Sequence, residues 1–219
     1  AHQLNNPLSN ISTSCQILVE ELHETNDEVK KELLEQVEGQ VERAKGIIKS
    51  LLEFSRKKEF KNTPLPLALL MEEAVRLLKC DMPSMIDINI TVPEDVWIFA
   101  DKQRMMQAFL NILKNSVDAI PDEGSIDISA FEDKLKKHIV ITIKDTGIGI
   151  EPEYVDRIFE PFFTTKPDGK GSGLGLFVAR EIIEDEGGFI TVESSHGGGT
   201  MFIISLPLKE SQWNTEQKS

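Results

Sequence analysis

Asn111 and Asn115 stand four positions apart in the run NILKNSVDA (111–119), so a helix would present both side-chain amides on one face. Magnesium takes oxygen ligands and keeps several of its waters. Where a triphosphate already brings negative charge, a neutral amide oxygen is a sensible protein ligand. Asn115 is therefore the expected metal ligand and Asn111 the expected phosphate contact, although two solvated asparagines would look the same if this run stood alone. In DTGIGI (145–150), Asp145 closes an apolar run that reads as a strand. A carboxylate at a strand end can accept the exocyclic N–H of adenine, and it would repel the carbonyl that guanine carries there. Gly147 and Gly149 would let the backbone approach the base.

Three further runs fit the same chemistry. FEPFFTTK (159–166) sets Phe159, Phe162 and Phe163 around a proline and leads into a loop rich in Gly, Lys and Asp. The aromatics could anchor one end of a mobile lid, with Lys166 and Lys170 reaching phosphates; ordinary core positions for the phenylalanines are compatible with this. GSGLGL (171–176) brings Gly171, Gly173, Leu174 and Gly175 to the start of a helix, whose free N–H groups suit phosphate. That run fits neither the strand-led dinucleotide fingerprint nor the Walker loop. GGGT (197–200) could set Thr200 beside the base, or could be a plain hairpin turn. At the other end of the chain, His2 in HQLNNPL is a candidate phosphate acceptor. A phosphorylatable histidine and an ATP site on one chain describe a protein that phosphorylates itself.

The elements that must position these residues fall into two textures. Residues 2–23 place Leu4, Leu8, Ile11, Cys15, Leu18 and Leu22 on one amphipathic stripe, with a kink expected at Pro7. The polar segment HETNDE (23–28) reads as a helix–helix turn, and residues 28–57 give a second helix along Val37, Val41, Ala44, Ile48 and Leu51. One such hairpin buries a single stripe per helix, so a homodimer forming a four-helix bundle is the physical expectation. The run KKEFKNTPLPL (57–67) looks like a linker. Beyond it, helices are expected over 67–79, 102–119 (N-capped by Asp101) and 173–186, and strands over 86–92, 96–100, 125–132, 138–144, 189–194 and 200–208. This is an α+β arrangement, a sheet with helices on one face. The expected division is 1–60 for the helical hairpin, 61–209 for the nucleotide-binding domain and 210–219 for a disordered tail.

Composition bounds the partners. The chain has 219 residues and a formal net charge of −13, which argues against nucleic acid or an anionic membrane surface. Cys15 and Cys80 have no metal-ligand spacing and read as free thiols of a reducing compartment. No apolar run approaches the ~20 residues of a membrane span. The helical pattern is already under way at Ala1, as expected of a cytoplasmic fragment whose parent could be membrane-anchored.

The runs NILKNSVDA, DTGIGI, FEPFFTT and GSGLGL, in this order, resemble the N, G1, F and G2 boxes of sensor histidine kinases, members of the gyrase–chaperone–histidine kinase ATPase superfamily. HQLNNPL resembles the H box of their dimerisation and phosphotransfer domain, and SLLEFSR (50–56) is similar to the end of its second helix. The resemblance spans residues 1 to about 209. It implies a Bergerat-type α/β-sandwich for the second domain. It also implies transfer of the γ-phosphoryl of Mg·ATP to a ring nitrogen of His2 and onward to an aspartate of a response regulator. Many members also dephosphorylate that regulator, and Asn6, four residues after the histidine, would then position the attacking water. NNPL, with Asp118 after the N box, is similar to the nitrogen-regulatory branch. His23, His138 and His196 fall in a turn, at a strand start and in a glycine turn, and are expected to be surface residues.

One residue departs from the family pattern. The family H box usually carries Glu or Asp after the phosphorylated histidine, and this chain carries Gln3. Glutamine can accept a hydrogen bond from the imidazole and fix its tautomer, but it cannot take the proton. Slow or absent autophosphorylation with intact ATP binding is expected. Two other functions compete: a kinase-dead module that binds nucleotide and a regulator, supported by Gln3, and a stand-alone ATPase or serine kinase of the anti-sigma type, which lacks a helical hairpin bearing a histidine.

Overall fold

A computed structural model describes residues 61–79, 85–166 and 171–208, together with Thr13, Leu34, Val37, Gly39 and Val41. His2, Gln3, Asn6, His23, Lys170, both cysteines, the hairpin turn and the tail expected over 210–219 lie outside the described residues. Contacts divide the chain into two compact units, Ala1–Lys58 with Glu160–Leu174, and Glu59–Phe159 with Gly175–Ser219. In the first unit Thr13, Leu34, Val37, Gly39 and Val41 are helical. Val37 and Val41, from the expected stripe, are half-buried, whereas Thr13, Leu34 and Gly39 are exposed.

The second unit runs β1 (Asn62–Pro66), α1 (Leu67–Leu78), β2 (Ile86–Thr91), β3 (Trp97–Asp101), α2 (Lys102–Asp118), β4 (Gly124–Asp133), β5 (His138–Asp145), α3 (Gly175–Asp185), β6 (Phe189–Ser194) and β7 (Thr200–Pro207). Five strands form a sheet of order β2-β4-β5-β7-β6, with β2 and β4 parallel and the other neighbours antiparallel. Side chains alternate across it, as strand geometry requires. Ile126, Ile128 and Ala130 of β4, Ile139, Ile141 and Ile143 of β5, and Phe202, Ile204 and Leu206 of β7 are buried. Opposite them in the core stand Leu67, Leu70, Met71, Ala74 and Val75 of α1, Met105, Ala108, Phe109, Ile112 and Leu113 of α2, and Ala179, Ile182 and Ile183 of α3. The outward residues Asp127, Phe131 and Lys144 are exposed, and Ser129 and Thr142 pair their hydroxyls across the strands at 2.7 Å. The expected α+β class, with helices on one face of the sheet, is the class observed.

Asp101 caps α2 as its position suggests, its Oδ1 accepting from the N–H groups of Gln103 at 3.0 Å and Arg104 at 3.1 Å. Two expectations are corrected. The linker does not extend through residue 67: Asn62–Pro66 is strand β1, paired antiparallel with β3 in a separate two-stranded sheet. Its two prolines hid it, but a strand paired on one side only can carry residues without an N–H on the other. The third helix starts at Gly175 rather than Gly173. Gly173 has φ +65°, outside the helical region, and its carbonyl instead accepts the Phe162 N–H at 2.7 Å. Among the described residues no helix is long and apolar enough to cross a membrane.

Candidate functional site

The strand register of β5 delivers Asp145 to the sheet end facing α2. Its carboxylate is 1 % exposed. Oδ1 accepts the backbone N–H of Gly147 at 2.9 Å and of Thr200 at 3.1 Å. Oδ2 is buried and has no hydrogen-bond partner among the described residues, and the Ser116 hydroxyl is likewise buried without one among them. Burial pushes the Asp145 carboxyl above the usual carboxylate range, and the Gly147 N–H, the nearby Ser116 hydroxyl and the Thr200 N–H pull the other way. Ser116 thus lies close enough to favour the charged form, although its Oγ does not reach hydrogen-bond geometry. An acceptor buried without a donor costs about 1–3 kcal/mol; a ligand N–H is one group that would satisfy it.

The loop after Asp145 is seated on the end of α2. Ala119, the residue closing that helix, offers its carbonyl to the Ile148 N–H at 2.9 Å, meeting one of the helix's unpaired terminal acceptors. A Cβ on Gly147 would stand 2.5 Å from the same Ala119 oxygen. Gly149 has φ +71°, and a Cβ there would stand 2.0 Å from Ser195 O. In the structure both glycines make room for neighbouring backbone. The β6–β7 turn braces the loop through Gly197 N–H to Ile148 O at 2.7 Å and Ile150 N–H to Ser194 Oγ at 2.9 Å. Ser194 Oγ in turn donates to Gly199 O at 2.8 Å. Gly149→Ala is therefore expected to destabilise the chain by about 3 kcal/mol, combining a left-handed backbone with a steric clash. Urea denaturation measures this, and a change under about 0.5 kcal/mol would show that the loop is not so held.

Asn111 and Asn115 both lie half-exposed on α2, one turn apart as expected. A Cβ added to Gly175 would be 3.8 Å from Asn111 Cγ, so α3 begins against the Asn111 side chain. The structure thus brings Asp145, Gly147, Gly149 and Thr200 together, and separately Asn111 and Gly175. Asp118 is exposed at the last position of α2. Phe159, expected as a nucleotide contact or lid anchor, is 8 % exposed and packs edge-on to Phe202 with centroids 6.4 Å apart. The Arg180 guanidinium sits 5.7 Å from its ring centre. Phe159 lies in the core, a position compatible with the expected anchoring.

Within the other unit, the segment Glu160–Leu174 is pinched at its base by the Phe162–Gly173 hydrogen bond, with Phe162 itself at φ +71°. Lys166 N–H donates to Thr164 Oγ1 at 3.2 Å, and Gly171 lies against Thr164 Oγ1, where a Cβ would be 2.7 Å away. Leu174 is buried, and its N–H donates to Ser172 Oγ at 3.3 Å. His138 opens β5 with Nδ1 2.6 Å from Lys136 O. His196 is exposed, 3.1 Å from a Glu151 carboxylate oxygen.

The sequence reading missed Ser116. A signal existed: Ser116 continues the buried stripe Met105, Ala108, Phe109, Ile112, so a hydroxyl occupies an apolar position of the helix.

Residues 100–210 match the family of histidine kinase-, DNA gyrase B- and HSP90-like ATPases, and residues 1–60 match the His Kinase A phospho-acceptor domain. The chain belongs to the two-component sensor histidine kinases of that ATPase superfamily. It is 34 % identical over 221 residues to the sensor kinase CckA of Brucella abortus, covering 94 % of this chain and 23 % of that protein. It is 33 % identical over 210 residues to the sensor histidine kinase ZraS of Salmonella typhimurium, covering 95 % of this chain and 44 % of that one. It therefore spans from under a quarter to under half the length of these curated relatives. Among solved structures, the histidine kinase ThkA in complex with the response regulator protein TrrA aligns with a TM-score of 0.74 at 29 % identity, over 95 % of this chain and 60 % of that one.

Proposed function

We propose that this chain transfers the γ-phosphoryl group of ATP to a ring nitrogen of His2, and from there to an aspartate of a response-regulator receiver domain. The observation that carries the nucleotide half is the Asp145 carboxylate, with Oδ1 fixed by two backbone donors and Oδ2 unmet among the described residues. An acceptor held this way selects a ligand with an amine at that point, and adenine has one. Thr200, Gly147 and Gly149 support it, and Asn111 with the start of α3 at Gly175 would face the phosphates. Lys166, Gly171, Gly173 and Leu174 form the glycine-rich segment that would cover them. Asn115 would hold Mg²⁺ through its amide oxygen, and the ion when bound neutralises phosphate charge. Asp118, one turn further, would lie at the margin.

In the transfer, the bond between the γ-phosphorus and the bridging oxygen breaks, ADP leaves and a nitrogen–phosphorus bond forms at His2. The imidazole must shed its remaining N–H proton, and Gln3 cannot accept it. The regulator aspartate then takes the phosphoryl group and restores the histidine. Similarity to ThkA, solved with its response regulator, supports this partner class. Residues 1–60 would dimerise as a four-helix bundle, residues 61–209 would bind ATP, and 210–219 would be a tail. Asn6 would orient water for dephosphorylation of the regulator, a step that depends less on a proton acceptor at position 3. ATP as donor implies a cytoplasmic setting. Gln3 also favours a second reading, in which the chain binds nucleotide and regulator without transferring phosphate.

Incubation with Mg·ATP labelled in the γ-phosphate separates these. The proposal expects weak, acid-labile and alkali-stable label on the chain and none on His2→Ala. Label that persists in His2→Ala places the chemistry elsewhere.

A further inference from the structure

The first residues of the ATP-binding unit are tied down in an unusual way. Lys61 N–H donates to Asp101 Oδ2 at 3.3 Å, while Oδ1 of the same carboxylate caps α2. Asn62 Nδ2 donates to Glu186 Oε2 at 2.8 Å. Glu186 follows the last turn of α3, only 5 % exposed, at the end of a helix where negative charge is disfavoured. Asp185 beside it adds a second negative charge. Arg104, from the first turn of α2, pairs with Asp185 and lies 4.0 Å from Glu186 Oε1. Asn62 Oδ1 is buried with no hydrogen-bond partner among the described residues. Burying a carboxylate and an amide this way costs stability unless the geometry is well satisfied, so the arrangement is a poor choice for stability alone.

Its position gives it a use. α2 carries Asn111 and Asn115, and α3 begins at Gly175 against Asn111. The segment 61–66 therefore grips the N-terminal end of one helix and the C-terminal end of the other, each at the end away from the asparagine–glycine contact. It also falls between the two matched regions, 1–60 and 100–210, so neither family assignment covers it.

We propose that the Asn62–Glu186–Arg104 contact is a joint through which the strand entering the ATP-binding unit and the helices flanking the nucleotide site act on one another. Asn62, Arg104 and Glu186 are positioning residues: they act through α2 and α3. The inference rests on the nucleotide reading above. Coupling between sites is reciprocal, so a joint that favours nucleotide binding is one that nucleotide tightens.

Hydrogen exchange of the full chain with and without Mg·ADP tests this. Mg·ADP is expected to slow exchange of residues 61–66 by about 10-fold, within the usual 5–150-fold range of such coupling. Asn62→Leu and Glu186→Gln should each abolish that response while protection at residues 145–150 persists. The joint is overturned if 61–66 does not respond in the parent chain, if the response survives both substitutions, or if β2, which has no part in the joint, responds equally. Absence of protection at 145–150 in the parent chain means that ADP does not bind. That outcome overturns the nucleotide reading, and this inference with it.

Discussion

Gln3→Glu is expected to raise the rate of His2 phosphorylation by about 10²–10⁴-fold, the usual worth of a positioned general base. The two side chains have nearly the same shape, so the substitution changes proton affinity with little change in packing. Glutamine's amide oxygen can accept a hydrogen bond from the imidazole and hold one tautomer, which keeps the second nitrogen aimed as a nucleophile. What it cannot do is stabilise the positive charge that builds on the ring as the nitrogen–phosphorus bond forms. Single-turnover labelling from γ-labelled ATP at saturating nucleotide measures this directly. The nucleotide affinity should be unchanged, because position 3 acts on the acceptor and not on ATP. An equal rate in the two chains would show that proton removal at His2 does not limit the transfer. A large change in ATP affinity would show that position 3 acts on nucleotide binding.

Asp145→Asn is expected to weaken ADP binding by about 10²-fold, from the ~1.5–3 kcal/mol of a hydrogen bond to a charged group. Gly147 and Thr200 N–H groups fix an oxygen at the Oδ1 position in either residue. The amide nitrogen of asparagine must then take the Oδ2 position and present a donor to adenine's amine. Guanine carries a carbonyl there, so the preference for ADP over GDP should narrow or reverse. Calorimetry with both nucleotides reads the two effects, and an unchanged ADP:GDP ratio would remove Asp145 from base recognition.

The same geometry sets a pH dependence. Burial raises the Asp145 pKa above its ordinary value of 3.8. For stability the sign is that of any raised carboxyl: its contribution is greatest below the ordinary value and is lost as pH rises through the raised one. Nucleotide binding runs oppositely. With Oδ1 occupied by two donors, a proton taken up on falling pH goes to Oδ2 and turns the acceptor into a donor. ADP affinity should fall on acidification in the parent chain, and Asp145→Asn should remove that component.

The local rules carried much of the fold. Asp101 ahead of an amphipathic stretch marked the start of α2, and alternation over β4 and β5 marked two central strands together with the face each side chain takes. The Asp145 position was legible because it ends an apolar strand. Its partners were not: Thr200 lies 55 positions away in sequence, and only the pairing of β5 with β7 makes them neighbours. Glycine signals were ambiguous for a physical reason. A glycine-rich run can open a helix or hold a positive φ, and Gly173 does the second while Gly175 does the first. β1 was hidden because a one-sided strand tolerates prolines that a central strand rejects. The Asn62–Glu186 contact, spanning 124 positions, has no local signature.

The contact between Asp145 and Thr200 also fixes when the nucleotide site can exist during synthesis. The β4–β5 hairpin joins neighbours in sequence and can close early, whereas β7 must add to β5 across the whole intervening chain, a slower kind of pairing. Until residues 200–207 have left the ribosome, Asp145 lacks its second backbone donor and the loop after it lacks its brace. A nascent chain therefore reaches an ATP-competent state only once residues 200–207 have emerged, after the residues that would receive the phosphate have long been exposed.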